Sequence, residues 1–218
     1  MPETPQRIVI ITGGNLGDWM IGKLRPDDYI IGADAGALFL VRSGICPDLS
    51  LGDFDSVTEE EMEEIIRGTR EMASFDPIDK NYTDTELALM RAIERKPSSI
   101  LIFGALGSRF DHSLANVHLL RKAAECGCAT VIEDASNRIQ LIQGGQTLTI
   151  QRSELLPHVS LLPLSEEVQG IDLEGFQYPL HDATLHIGQS LGISNVLAGD
   201  VGTIRLSKGW LLVMETAG

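Results

Sequence analysis

The sequence predicts an α/β N-terminal domain with a mostly parallel, Rossmann-like sheet, followed by a small all-β sandwich. Two observations lead there. Up to residue 135, unbroken apolar runs alternate with stretches of helical period. From residue 136 onward the apolar runs are short, and Gly, Pro, Asn and Ser punctuate them. The boundaries expected are therefore 1–135 and 136–218.

Ile8, Val9, Ile10 and Ile11 follow one another without alternation, as in a strand covered on both faces. Gly13-Gly14-Asn15 breaks it. That turn lacks G-x-G-x-x-G spacing, so it is either a plain turn or a place where backbone approaches phosphate. Trp19 and Met20 are packing residues. Tyr29 to Ala33 is a second strand, and a helix follows through Leu38, Phe39 and Val41. Asp34 stands at their junction, either as a helix N-cap or facing the crevice beyond the sheet. Thr58 and Glu61 have capping-box spacing and open a helix whose acidic face is solvated. Thr83 and Glu86 repeat that spacing ahead of the stripe Leu87, Met90 and Ile93. Ser99 to Phe103 is another buried strand. A tight loop with Gly104 and Gly107 leads into a helix with Leu114, Val117 and Leu120 on one face, and Ala129 to Glu133 closes the series. The later strands are Ile139–Ile142, Thr147–Ile150, Val159–Leu162, Ile171–Leu173, Thr184–Ile187, Gly202–Leu206 and Trp210–Met214.

Composition narrows the function classes. A chain of 218 residues with 43% apolar content can bury a proper core. Its net charge of −14 argues against nucleic acid and against anionic membrane surfaces as partners. A phosphate ligand would then need a metal or individually placed cations. Cys46, Cys126 and Cys128 are too few for a disulfide framework and suit a reducing cytosol. Cys126 and Cys128 read as small buried fillers. The opening residues Met1 to Gln6 are polar and carry no signal-peptide pattern. No apolar run approaches the ~20 residues that span a bilayer. A cytoplasmic protein is expected.

The chemistry concentrates in Leu49-Ser50-Leu51-Gly52-Asp53-Phe54-Asp55-Ser56. A short apolar strand ends at a glycine, and two carboxylates follow at i and i+2. In extended backbone such residues share a side, so Asp53 and Asp55 can converge just past the strand end. Adjacent carboxylates repel unless a cation joins them, and Mg²⁺ would satisfy the pair. The alternative is an Asp-rich turn in water. Asp84 falls in a helix's first turn, as a dipole-favoured cap residue or as a third carboxylate for the metal, with Lys80 beside it as a phosphate partner. Arg109 precedes a helix N-terminus, and both favour anions. Asp111 caps that helix or joins the site. His112 is either a first-turn residue or a further polar group after a strand.

Five pieces together resemble the thiamine pyrophosphokinase family. They are Gly32-Ala33-Asp34-Ala35-Gly36-Ala37, Gly52-Asp53-Phe54-Asp55-Ser56, Asp79-Lys80-Asn81-Tyr82-Thr83-Asp84, Gly107-Ser108-Arg109-Phe110-Asp111-His112 and Gly192-Ile193-Ser194-Asn195. The resemblance implies pyrophosphate transfer from ATP to the hydroxyl of thiamine, with release of AMP and dependence on Mg²⁺. It also implies a homodimer with active sites between subunits. By position, Asp53, Asp55 and Asp84 become Mg²⁺ ligands. Asp34, Lys80, Asn81, Thr83, Arg109 and His112 become nucleotide or phosphate contacts. Asp79 or Asp111 becomes the acceptor of the hydroxyl proton. Ser194 and Asn195 enter the vitamin pocket, where Trp210 either stacks on thiamine or belongs to the core. Two departures stand out: Asn81 where Asp is common, and Ala35 where Gly is usual. The rival readings are a metal-dependent phosphohydrolase with water as acceptor and a non-catalytic nucleotide-sensing regulator.

Overall fold

The computed structural model describes residues 7–74 and 82–218. The chain divides into two compact units, Met1–Ala135 and Ser136–Gly218. Among the described residues the first carries six strands: β1 (Arg7–Ile11), β2 (Tyr29–Ala33), β3 (Leu49–Gly52), β4 (Met72–Ser74), β5 (Ser99–Phe103) and β6 (Ala129–Glu133). They lie side by side in the order β6-β5-β1-β2-β3-β4, and every pairing among them is parallel. The helices are α1 (Ala35–Arg42), α2 (Glu59–Gly68), α3 (Asp84–Glu94) and α4 (Phe110–Glu125). From β1 the chain works outward through β2, β3 and β4, then returns to add β5 and β6 on the other flank. The order thus reverses between β1 and β5, and open α/β sheets take ligands at such a point, beyond the carboxyl ends of the strands.

The apolar runs are buried on both faces, as expected of central parallel strands: Ile8 to Ile11 expose nothing. Met20 is fully buried in a short 3-10 helix, Asp18–Lys23, and Trp19 meets Phe103 edge to face at 5.4 Å. Thr58 and Glu61 form the full capping box at α2. At α3 only half of it forms. Thr83 accepts from the Glu86 N–H, while the Glu86 carboxylate accepts from Lys122 of α4 at 2.8 Å.

Several expectations need correction. The stripe Leu87, Met90 and Ile93 is not the buried face of α3; Thr85, Ala88, Leu89 and Ala92 are buried instead. Contacts with β1, β2, β3 and α4 set the buried face, which includes the large Leu89, so tertiary packing overrode the apolar pattern. On α4, Val117 and Leu120 are buried, but Leu114 is 43% exposed, as are residues 110–112 before it. Cys128 is buried and Cys126 is exposed as the C-cap of α4. The edge strand β4 and the short 3-10 helix carried no clear period and were not foreseen.

The second unit holds β7 (Asn137–Gln143), β8 (Thr147–Gln151), β9 (His158–Pro163), β10 (Glu167–Glu174), β11 (Leu180–His186), β12 (Asn195–Val196), β13 (Val201–Arg205) and β14 (Trp210–Thr216). Its pairings are antiparallel, in the orders β12-β9-β14-β7 and β11-β10-β13-β8. Ile142, Val159 and Leu211 from the first group and Ile150, Ile171 and Ile204 from the second share one hydrophobic core. The unit is β-rich, with no helix among its described residues. Of its strands only the two-residue β12 was not expected.

Helix α1 sits hard against β1. A Cβ on Gly36 would lie 2.2 Å from the Ile11 carbonyl oxygen, a distance no side chain survives. Gly36→Ala is expected to destabilise the protein by about 2 kcal/mol or more, through backbone displacement rather than lost flexibility. Gly22→Ala, where nothing lies within 4 Å, should stay within about 0.5 kcal/mol of the parent. Denaturant melts of the two variants check this.

Candidate active site

The carboxyl ends of β1, β2 and β5 and the first turns of α3 and α4 enclose an open cleft of about 300 Å³. Its lining includes Thr12, Gly14, Asp34, Thr83, Asp84 and Arg109, with His112, Ser113 and Asn116 from α4. The floor is a backbone seam. Gly14 N–H donates to the Gly104 carbonyl at 2.8 Å and Asn15 N–H to the Leu106 carbonyl at 2.7 Å. A Cβ on Gly14 would lie 2.3 Å from that Gly104 oxygen, so the two loops close only around a glycine. Those two N–H groups are spent on the neighbouring loop, and the plain-turn reading of Gly13-Gly14-Asn15 fits.

At one end of the cleft the acids gather. Asp34, Asp53 and Asp55 each offer a carboxylate oxygen within 4.8 Å of the others. Asp53 and Asp55 meet through a turn anchored by the residue between them, not through the extended alternation expected. Phe54 is buried against Ala37 and Ile65, which turns both flanking carboxylates outward. The backbone is contorted to do this: Phe54 has φ 53° and Asp34 has φ 49°. Positive φ at a residue other than glycine is uncommon and concentrates at functional sites. Asp34 occupies the N-cap position of α1 but makes no side-chain cap. Its carboxylate instead accepts from Ser56 Oγ at 2.7 and 2.9 Å, so it belongs to the crevice. Ala35 begins α1 without positive φ, so the usual glycine there is not required by this backbone.

Asp84 lies over the same turn, its Oδ1 3.3 Å from where a Gly52 Cβ would stand. Burial, then the charges of Asp34 and Asp53, push its carboxyl up to about 6. Backbone N–H groups of Asp84 and Asp53 pull the other way. Asp84 is therefore beside the acid cluster, although the tight set is Asp34, Asp53 and Asp55 rather than the expected Asp53, Asp55 and Asp84. These are hard oxygen donors in a half-exposed pocket, and the set fits a divalent ion such as Mg²⁺.

Arg109, not Asp111, is the N-cap residue of α4. Its guanidinium grips Asp111 at two points, 2.7 and 3.3 Å, and holds that carboxyl below the usual range, aided by the His112 backbone N–H. A carboxyl so held is a weak proton acceptor. Thr83 caps α3 and lines the cleft, and His112 lines it from the first turn of α4. Asp79, Lys80 and Asn81 lie outside the described residues. Ser194, Asn195 and Trp210 belong to the second unit. Asn195 is buried, with Oδ1 accepting from the Tyr178 and Val196 N–H groups and Nδ2 donating to the Tyr178 carbonyl. Ser194 is exposed at φ 58°, its N–H donating to Ser160 Oγ. Trp210 is half-buried at the start of β14.

Sequence reasoning missed Ser56 as the partner of Asp34, although it stands next to Asp55. It also missed Asn116. The available signal was spacing, since Asn116 follows His112 by four residues and so shares its face of α4.

Two family models match the chain: thiamin pyrophosphokinase, catalytic domain, over residues 23–132, and thiamin pyrophosphokinase, vitamin B1 binding domain, over residues 146–211. Thiamine pyrophosphokinase of Bacillus subtilis (strain 168) is 35% identical over 211 residues, which cover 96% of this chain and 98% of that protein. The crystal structure of the Bacillus subtilis enzyme superposes with TM-score 0.90 at 34% identity, covering 97% of this chain and 99% of the other. That of thiamin pyrophosphokinase from Geobacillus thermodenitrificans gives 0.87 at 32%, covering 97% and 98%. With the acid cluster and the cleft arranged as described, the chain belongs to the thiamin pyrophosphokinase family.

Proposed function

We propose that this protein transfers pyrophosphate from ATP to the hydroxyl of thiamine, giving thiamine diphosphate and AMP, in a Mg²⁺-dependent reaction. The observation that carries the reading is the meeting of Asp34, Asp53 and Asp55 beside a half-buried Asp84 at the mouth of a phosphate-sized cleft. Family membership supplies the substrates. Phosphoryl transfer of this kind needs positioning and charge neutralisation more than covalent help. Asp53, Asp55 and Asp84, joined by Asp34, would hold Mg²⁺. Once bound, the ion supplies Lewis-acid neutralisation of phosphate oxygens.

The chain's own residues do the rest. Arg109, at the positive end of α4, offers fixed charge to a phosphate, and Asp111 aims it. Ser56 fixes the Asp34 carboxylate. Thr83 and His112 flank the nucleotide, with Lys80 and Asn81 assigned to it from the resemblance. Asp79 is left as the acceptor of the hydroxyl proton, because Arg109 weakens Asp111 for that task. Ser194, Asn195 and Trp210 form part of the vitamin pocket. Asn195 acts there by shaping the Tyr178 segment, since both atoms of its amide are engaged.

We read the first unit as a Rossmann-like catalytic, nucleotide-binding domain and the second as a β-sandwich that binds thiamine. The reading includes a cytoplasmic homodimer with active sites between subunits. Exposed apolar side chains such as Tyr178, Ile187 and Leu191 support an assembly through the second unit. No helix among the described residues is long and apolar enough to cross a membrane.

Incubation with ATP, Mg²⁺ and thiamine, with AMP resolved from ADP, tests the activity. AMP should form only when thiamine is present; nucleotide products without thiamine would point to a hydrolase instead. Asp55→Asn should lower AMP formation by about 100-fold or more while leaving the melt nearly unchanged.

The raised Asp84 carboxyl sets the pH response of the metal-free protein. Its folded-state value, about 6, stands above the ordinary 3.8, so the folded state holds its proton longer than the unfolded chain does. Stability is therefore unpenalised below about pH 4 and falls as pH rises through about 6. Asp84→Asn should remove that fall. In chelator, the variant should melt a few degrees above the parent at pH 7.5 and level with it near pH 4. A variant that melts level with the parent at pH 7.5 as well as near pH 4 would remove the argument that an ionised Asp84 is penalised there.

A further inference from the structure

Asn116 is a polar residue of the cleft that the family motifs leave without a role. It sits on α4, is 7% exposed, and still contributes to the lining. Its Nδ2 donates to the Ala105 carbonyl at 2.7 Å. That bond fixes the orientation of the amide, because a carbonyl can only be faced by the NH₂ end. Oδ1 is left pointing elsewhere, and it has no partner among the described residues. It is not sealed in protein either, since the one such orphaned buried atom there is His158 Nδ1. A preoriented carbonyl oxygen therefore stands at the wall of the cleft, in a side chain that is otherwise buried.

An acceptor held in one orientation and open to the cleft takes a donor from water or from a ligand. Phosphate groups near neutral pH are acceptors and cannot supply it, so the partner is not the charged half of a nucleotide. The cleft lies wholly in the unit matched by the catalytic-domain model, whereas the vitamin-binding model matches the other unit. Resting on the reading that ATP is the donor substrate, we propose that Asn116 Oδ1 accepts a hydrogen bond from the nucleoside half of ATP and makes Asn116 a specificity-determining residue. The donors of that half are the 6-amino group of adenine and the two ribose hydroxyls. Sites built around a hydrogen bond to the ligand reject analogues that lack it.

Calorimetry in Mg²⁺ without thiamine tests this on the whole chain. The ligands are ATP, purine riboside triphosphate (hydrogen in place of the 6-amino group), 2′-deoxy-ATP and 3′-deoxy-ATP. The parent should bind one of the three analogues about five- to tenfold more weakly than ATP. Asn116→Ala and Asn116→Ser should each bind that analogue and ATP equally, whereas a merely structural loss would weaken every ligand alike and keep their ratio. In the unmutated chain, the Asn116 side-chain amide resonances should move with ATP and stay with the discriminated analogue, which decides the matter if neither variant folds. Parent affinities all within twofold would overturn the proposal, as would discrimination that survives in the variants. ATP that binds with discrimination but yields no thiamine-dependent AMP would sink the activity and leave Asn116 in place; ATP that does not bind would end both.

Discussion

Mutual repulsion among carboxylates is the constraint around which the first unit is arranged. Asp34 comes from the end of β2, Asp53 and Asp55 from the end of β3, and Asp84 from the start of α3. Like charges disfavour such a meeting. Three devices hold it, with Asp53 and Asp55 open to water and Asp84 half-buried. Phe54, buried between its acidic neighbours, anchors their turn in the core. Ser56 pins the Asp34 carboxylate. Backbone at positive φ at Asp34 and Phe54 aims the side chains where a relaxed chain would not. Three carboxylates held within 4.8 Å of one another, with a half-buried fourth beside them, have more to gain from a cation than a relaxed turn would.

The rest of the cleft follows from the same economy of charge. A protein of net charge −14 that handles polyphosphate must localise its positive charge. The glycine loops offer little, because the Gly14 and Asn15 N–H groups are consumed in sewing the β1 and β5 loops together. Among the described residues, what remains is Arg109, held by Asp111 at the N-terminal end of a sixteen-residue helix, and the cation that the acid cluster favours. The floor is therefore rigid and neutral, and the two ends of the cleft do the electrostatic work.

Much of this was legible from residue order. Continuous apolar runs located β1, β2, β5 and β6, because strands covered on both faces cannot alternate. The i, i+2 acids located the site, although a turn with Phe54 at positive φ, not extended backbone, brings them together. Other features depended on contacts that no local pattern encodes. Helix α3 buries Thr85, Ala88, Leu89 and Ala92 rather than Leu87, Met90 and Ile93, since its contacts with β1, β2, β3 and α4 chose the face. Leu114 looks like core by period, yet it belongs to an exposed opening stretch of α4. Asp34 reads equally as a cap or a ligand until its backbone dihedrals are known. The short β4 and β12 have too few residues to carry any period.

Two buried asparagines show how structure separates scaffold from recognition where sequence cannot. Asn195 sits in a motif that matches the family, yet both ends of its amide are bonded to backbone: Oδ1 accepts from the Tyr178 and Val196 N–H groups, and Nδ2 donates to the Tyr178 carbonyl. It has little left to offer a ligand directly, and its effect on one must pass through the segment it holds. Asn116 stands outside the quoted motifs, but only its NH₂ end is spent. Hydrogen-bond inventory, more than motif membership, says which of the two can touch a substrate. Asn116 is also tied through Ala105 to the loop that carries Arg109, so a ligand donor that engages Oδ1 would meet a group already braced against the phosphate-binding end. Base or sugar recognition and phosphate positioning would then share one rigid element, α4 with its preceding loop, and an analogue that fits poorly at one end would be misplaced at the other.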